Sequence, residues 1–540
     1  MHYNKIFCAL ILPGVLSYAC HKNTAPGSAQ PPTPPAVAAD SVALDTLTNR
    51  QVLSTGVFHQ KGKALQSLAV ISGSSLSAEQ KVLVATLQGL VAKSSSEQIY
   101  IDEGGPSTQW TQYLQIRYSI TVTSYSSWTA LLTHFKPMVK GYVLYDRSGN
   151  KRSLTAATSL CGPLNAIAVD ASLEQAVRSQ GITSRKADVR TRDEHWVYAQ
   201  APAAFSKRLA AEQDPGIDHH LRDYIALTNA FTFYDGNTPW RTSVLKGLAP
   251  ESFCFGYGQD EFTMVSDAAQ QGVPMLPTDL AANLAPLSSI YDTAGLQQHT
   301  YTDPITEESV HTVCFLVSDG DNIGYDLWSL CNYYNNPIRG SFNMGYTISP
   351  SLADLAPSVL RWYYEKASTG AGKDFFVAGP SGSGYTYPSR MPSGKLDTYL
   401  SRLNSFMGAS GLHICNILDQ GAIGNMDLWN KYLAQSNIDA LIYTGYGEAP
   451  HGSIRFSANG KPIIEQRDNL WQGLEEEATV IANINSRPAD PHSADGYTLV
   501  FVHAWTKDLG SVRTVVNGLN GNVRVVTPDA FVKLIKANLH

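Results

Sequence analysis

Asp374-Phe375-Phe376-Val377-Ala378-Gly379-Pro380 runs directly into Ser381-Gly382-Ser383-Gly384-Tyr385-Thr386-Tyr387-Pro388. The first part is a short apolar run stopped by Gly-Pro, which reads as a buried strand. The second is too rich in glycine for a helix or a strand, yet it carries two tyrosines. Glycine allows tight turns and close backbone approach, and tyrosine offers a flat apolar face with a hydroxyl at its tip. A loop of that composition at a strand end suits a sugar, which has apolar ring faces and hydroxyls around its edge. The competing reading is a structural turn whose tyrosines plug the rim of the fold.

Outward from this stretch the same rhythm repeats. Apolar strands are expected at Thr312–Val317, Phe342–Ile348, Phe375–Ala378, His413–Leu418, Ala440–Tyr443, Thr498–Val502 and Val523–Val526. Amphipathic segments fall between them, among them Leu355–Lys366, Leu396–Met407, Leu428–Ala434 and Leu474–Ile484, and Ala530–Leu539 follows the last. Alternation of this kind implies right-handed crossovers and a parallel sheet. The expected fold class is therefore α/β, with a seven-stranded (β/α) barrel over residues 305–540. An open doubly wound sheet is the alternative.

The run Gly382-Ser383-Gly384-Tyr385-Thr386-Tyr387-Pro388 matches, letter for letter, the motif of the GxGYxYP glycoside hydrolase family, and the resemblance extends over nearly the whole chain beyond residue 45. It implies an exported or lipid-anchored bacterial protein with N-terminal α/β domains ahead of a barrel-like C-terminal domain. The implied substrate is a polysaccharide or oligosaccharide.

The N-terminal half reads as support for that domain. The helical stretch from Ala78 to Val91 precedes a strand at Gln98–Asp102, and further strands are expected at Ile120–Thr123, Gly141–Tyr145 and Ala166–Val169. A first α/β domain is assigned to 46–184 and a second unit to 185–304. Gly256-Tyr257-Gly258 belongs to no GxGxxG or GxxxxGK[ST] pattern, so no nucleotide loop and no cofactor are expected. Asp260-Glu261 reads as a helix start, where carboxylates favour the positive end of the dipole. This region is expected to be support, or one wall of a site.

Residues 1–19 combine a weakly basic start with an apolar core too short to span a bilayer, as in a signal peptide. Cys20 follows Leu16-Ser17-Tyr18-Ala19 and is the expected lipidated residue; Tyr18 departs from the stricter lipoprotein pattern, which leaves ordinary cleavage as the alternative. The Pro- and Ala-rich stretch 20–45 reads as the anchor and its tether. The expected location is outside the cytoplasm, with the membrane reached by the lipid anchor only. A net charge of −6 over 540 residues provides no basic face for nucleic acid. Cys161, Cys254, Cys314, Cys331 and Cys415 show no CxxC spacing, so neither a disulfide framework nor a metal cluster is expected.

Glycoside hydrolysis needs a protonated acid and a second, ionised carboxylate. In parallel barrels such groups sit where the strands end. The strand ends supply Asp319, Asp321, Asp419 and Glu448 as candidate catalytic acids, with Glu448 the preferred proton donor because its aromatic neighbours would desolvate it. Asn322, Gly384, Tyr385, Tyr387, Tyr446, His503 and Trp505 are the candidate sugar contacts. A residue just after a strand also serves as a helix cap, and that is the bland reading of the acids. The insertion from Gly445 to Arg467 is expected to hold a hairpin turning at Asn459-Gly460 and to stand over the mouth as a lid or subsite wall. Two other functions stay in view: a glycan-binding lipoprotein without catalysis, and a metal-dependent polysaccharide deacetylase, which needs a histidine pair in HxxxH-like spacing that the chain lacks.

Overall fold

The structure, a computed structural model, describes residues 58–301, 308–446 and 449–539. The expected signal peptide, Cys20 and the tether lie outside the described residues.

Three small parallel sheets come first. β1 (Ser67–Ser72), β2 (Glu97–Asp102) and β3 (Thr121–Tyr125) lie in the order β2-β1-β3. β4 (Gly141–Tyr145), β5 (Ala166–Asp170) and β6 (Arg185–Asp188) lie in the order β5-β4-β6. β7 (Leu209–Glu212), β8 (Phe231–Phe233), β9 (Phe253–Gly256) and β10 (Met275–Leu276) make the order β10-β9-β7-β8. The division into two N-terminal units is thus corrected to three. A cut at 184/185 removes β6 from the sheet it completes, and β6 reads Arg-Lys-Ala-Asp with only Ala187 buried, so it carries no apolar strand signal.

The helix Ala78–Ala92 begins with a capping box, in which Gln80 N donates to Ser77 Oγ and Ser77 N donates to Gln80 Oε1. It is buried from Val82 to Ala92 because it serves more than one sheet: Ala168 N of β5 donates to its Thr86 Oγ1 at 3.0 Å, and its Gln88 Nε2 donates to Asn283 Oδ1 at 2.7 Å. A helix enclosed on all sides is apolar on all sides.

The C-terminal region is built on a 10-stranded sheet. Its strands are β11 (His311–Val317), β12 (Met344–Ile348), β13 (Asp374–Ala378), β14 (Ile414–Asp419), β15 (Ala440–Gly445), β16 (Ile454–Phe456), β17 (Pro462–Glu465), β18 (Asp468–Leu470), β19 (Tyr497–Val502) and β20 (Val523–Val525). The order is β16-β17-β15-β14-β13-β12-β11-β19-β18, with β20 on β11, and only β16–β17 is antiparallel. The sheet curls into a half-barrel. Each strand expected from sequence is present, but the last takes another place: β20 pairs with His311–Val313, at the start of β11, while β19 pairs with Thr312–Val317. Alternate residues feed two cores. Cys314, Leu316, Phe375 and Val377 pack with Phe531, Val532 and Ile535 of the C-terminal helix, whereas Phe315, Val317, Phe376 and Ala378 join the core shared with the N-terminal sheets.

β16 and β17 form the expected hairpin, but not a lid. Asn459 Nδ2 donates to Leu433 O and Lys461 Nζ to Gln435 O, both in the segment that leads into β15. Because β17 runs parallel to β15, the turn before it must lie where the strands begin, away from the mouth.

The third N-terminal sheet docks on the C-terminal sheet through backbone. Met275 N donates to Tyr385 O at 2.9 Å and Tyr385 N returns a bond to Met275 O at 2.6 Å, an isolated antiparallel bridge. Pro277 O accepts from Ile323 N at 2.8 Å. Gly384 has φ +121°, and a Cβ there would stand 2.9 Å from Met275 O. Strain of that kind costs about 1–3 kcal/mol before any clash is counted. Gly384→Val is therefore expected to lower the unfolding midpoint by several degrees in a thermal scan, and an unchanged midpoint would show that this bridge does not hold the domains together.

Candidate active site

β11 delivers Ser318-Asp319-Gly320-Asp321 to the C-terminal edge of the sheet. Gly320 lies flat on β12: its N donates to Thr347 Oγ1 at 2.8 Å, and a Cβ would fall 2.0 Å from the Thr347 carbonyl carbon. No side chain fits there, so the turn has room for the carboxylates only on either side. Asp319 adopts φ +70°, a left-handed backbone that asparagine and aspartate tolerate better than most residues.

The Asp319 carboxylate is held by neutral donors. Trp505 Nε1 donates to Oδ1 at 2.6 Å and the Ser318 hydroxyl donates to Oδ2. Asp321 is buried, with 7% of its surface exposed. Burial pushes its carboxyl well above the usual aspartate range, the Asp319 charge pushes it further, and Glu261 adds to the repulsion. Neither aspartate caps the helix that follows. That task falls to Asn322, whose Oδ1 accepts from Tyr325 N at 3.0 Å, so the expected sugar contact is engaged in capping Ile323–Leu327.

Glu261, which sequence reading placed only at a helix start, adds its charge to the surroundings of Asp321. Asp260 is the N-cap of Glu261–Gln271, its side chain accepting from Thr263 N at 2.8 Å. The Glu261 carboxylate turns instead to two phenols: Tyr257 Oη donates to Oε2 at 2.6 Å and Tyr385 Oη donates to Oε1 at 2.7 Å. The available signal was the position of Gly256-Tyr257-Gly258-Gln259-Asp260-Glu261 just past the end of β9, where open α/β sheets hold their ligands.

This geometry corrects the role expected of the motif tyrosines. Tyr385 is 4% exposed and Tyr387 is fully buried, so neither presents a ring face to a ligand in solution. They act through hydroxyls, 3.3 Å apart, with Tyr385 turned to Glu261. Gly384 faces Met275 O, not a ligand. The exposed rings lie elsewhere. Phe262, next to Glu261, is 36% exposed, and Trp505, bonded to Asp319, is 44% exposed. Tyr446 is half-buried between them in kind, its ring 5.6 Å from Tyr387 and 6.0 Å from Phe262.

His503 stacks on Trp471 at 3.7 Å and pairs through Nδ1 with Thr506 Oγ1 at 2.8 Å; burial lowers its pKa, which the Asp319 charge partly offsets. Asp419 is buried in full and its oxygens are taken up by Ser389 N, Ser389 Oγ and Gln420 N at 2.6–2.8 Å. It fastens the turn Pro388–Arg390. Glu448 lies outside the described residues. Among the described residues no group of three or more His, Cys, Asp or Glu side chains is arranged to hold a metal.

Four family models match the chain in series: GxGYxYP_N first domain at 67–137, GxGYxYP_N second domain at 139–203, GxGYxYP third domain at 207–289, and "GxGYxYP putative glycoside hydrolase C-terminal domain" at 309–536. A solved structure described as a putative hydrolase from Bacteroides thetaiotaomicron is similar at 52% identity and a TM-score of 0.88, over 90% of this chain and 98% of that one. No curated protein matches. A domain series ending in a hydrolase-type module is what these matches define. The chain belongs to the GxGYxYP family.

A buried carboxyl whose folded pKa is raised takes up protons that the unfolded chain releases. It favours the fold below the unfolded value near 3.9 and loses that contribution as pH rises through the folded value. Asp321→Asn is therefore expected to raise the unfolding midpoint at pH 7.5 and to lose that advantage as pH is lowered towards 4. A midpoint gain that is flat with pH would mean that Asp321 is charged in the fold.

Proposed function

We propose that the protein is a glycoside hydrolase that cleaves a polysaccharide or oligosaccharide outside the cytoplasm, with Asp321 as the proton donor. The observation that carries this reading is the pairing of a buried Asp321, whose carboxyl burial and the Asp319 charge push above the usual aspartate range, with Asp319, whose carboxylate is fixed by Trp505 and Ser318. Two carboxyls in unlike environments are how one site keeps an acid and a base at one pH. Asp319 contributes the neighbouring charge that keeps the proton on Asp321. The exposed faces of Trp505 and Phe262 flank the acids as apolar surfaces for sugar rings. The family description and the hydrolase description of the solved relative support the same reaction class.

The curled sheet serves this reading as a barrel would. The chain passes from β17, on β15, to β18, on β19, across Gln466-Arg467 alone, which brings the strand ends round a common rim. Export and anchoring follow, in this proposal, from the apolar leader and Cys20. The tether between them and the folded part would leave the site free to meet large glycans.

General acid catalysis contributes about 10²–10⁴ in rate. On a panel of oligosaccharides and aryl glycosides, Asp321→Asn is expected to lose about 10³-fold in kcat on poor leaving groups and much less on a nitrophenolate, which departs unaided. The basic limb of the wild-type profile should sit above the range of an ordinary aspartate, because activity falls as pH rises through the raised Asp321 pKa. Binding of a glycan by the wild type with no turnover across the panel would replace hydrolysis with the glycan-binding reading.

A further inference from the structure

The geometry points to Glu261, from the third N-terminal domain, as the second catalytic carboxylate, so that the site is assembled across a domain boundary. The inference rests on the hydrolase reading above and names the partner that reading leaves open.

Three observations meet at Glu261. It is half-buried, so it reaches solvent, unlike Asp419. The loop that follows β13 touches both groups: Tyr385 Oη donates to Glu261 Oε1 at 2.7 Å, and a Cβ on Gly379 would fall 2.4 Å from Asp321 N; the Glu261 charge accordingly adds to the upward push on the Asp321 carboxyl. Its orientation is fixed from both sides by phenol hydroxyls, one from its own loop and one from the C-terminal domain. The loop beneath it is rigid for a further reason. Tyr257 N donates to Glu212 O at 2.8 Å, and the Glu212 carboxylate is gripped by Arg241 at 3.1 and 3.0 Å, with Asp267 on the same guanidinium at 2.9 Å. Preorganised carboxylates and rigid supporting groups of this kind are what catalysis requires and what a helix start does not.

In the reaction, the Asp321 O–H passes its proton to the glycosidic oxygen as the bond from that oxygen to the anomeric carbon breaks. A Glu261 oxygen either bonds the anomeric carbon, that ester bond then breaking as a water bonds the carbon and gives its proton to the Asp321 carboxylate, or takes the proton of a water that bonds that carbon directly. Both routes end in the same hydrolysis, and product configuration separates them. The motif acquires a function under this proposal: Gly384 permits the bridge to Met275, and Tyr385 then binds the Glu261 carboxylate.

The test uses the full-length chain and the glycoside panel. Glu261→Gln and Glu261→Ala are expected to lose at least about 10³-fold in kcat while keeping the wild-type unfolding midpoint within a few degrees. Azide should restore turnover of an activated aryl glycoside by Glu261→Ala, with a glycosyl azide as product. Tyr385→Phe, which keeps the ring and removes one donor, should lose about 10-fold or more in kcat with KM little changed. If the Glu261 variants do not fold, a 2-fluoro glycosyl fluoride on the wild type takes their place, and its mass should appear on the peptide carrying Glu261 or its product should show inverted configuration with Tyr385→Phe still impaired. Glu261→Gln within 10-fold of a wild type that Asp321→Asn abolishes would overturn the assignment and leave the hydrolase reading standing. A wild type that cleaves nothing on the panel would remove both.

Discussion

The bridge between Met275 and Tyr385 is the contact on which the site depends. Two backbone hydrogen bonds join the edge of one small sheet to a loop of the large one, 110 residues away in the chain. Such a bridge can form only where the backbone of one partner comes very close to the other, and at Gly384 a side chain would obstruct it. Once it forms, Tyr385 has no freedom left: its ring is buried against the interface and its hydroxyl falls on Glu261. The glycine and the tyrosine of the motif are thus two parts of one device, the first setting the approach and the second using it.

Crowding three carboxylates costs energy, and the protein limits that cost in an unusual way. None of Asp319, Asp321 and Glu261 forms an ion pair among the described residues; the hydrogen bonds they receive come from an indole, a serine and two phenols. The nearby cations are spent elsewhere. Arg241 is buried on Glu212 and Asp267, and Arg390 stacks on Phe262 and binds Gln420. A guanidinium beside Asp321 would hold it ionised. Neutral donors bind Asp319 and Glu261 without cancelling the repulsion that adds to the upward push on the Asp321 carboxyl. One pKa unit is about 1.4 kcal/mol, so a raised Asp321 is paid for out of fold stability at neutral pH.

What could be read without coordinates follows the range of the interactions. The apolar strands β11, β12, β13, β14, β15 and β19 announce themselves locally, because they are buried on both faces and flanked by turns. Asp319 and Asp321 were legible for the same reason: they stand next to such a strand. β6 escaped notice because an edge strand with one buried residue has no pattern to show. Tyr385 and Tyr387 stand out in the sequence, but a sequence displays an aromatic residue and not whether its face or its hydroxyl is used. Glu261 does not stand out in the sequence, because its neighbours in the chain explain it as a helix start. Only Tyr385, 124 residues further on, explains its carboxylate.

This separation bears on where the activity resides. The C-terminal family model, the one described as a glycoside hydrolase domain, spans 309–536 and contains Asp319 and Asp321. Glu261 lies in the third-domain model, 207–289. If the proposed pair is right, neither segment holds a complete set of catalytic groups, and the N-terminal sheets are part of the site rather than a platform for it. The physical economy is clear on the electrostatic side. A proton donor needs burial to keep its proton, while its partner needs access to the substrate. A deep strand end meets the first need and the first turn of a helix on a separate domain meets the second. Joining the two through backbone at Gly384 avoids the further cost, up to about 1.5–2 kcal/mol for each long side chain, of ordering rotamers as well as backbone.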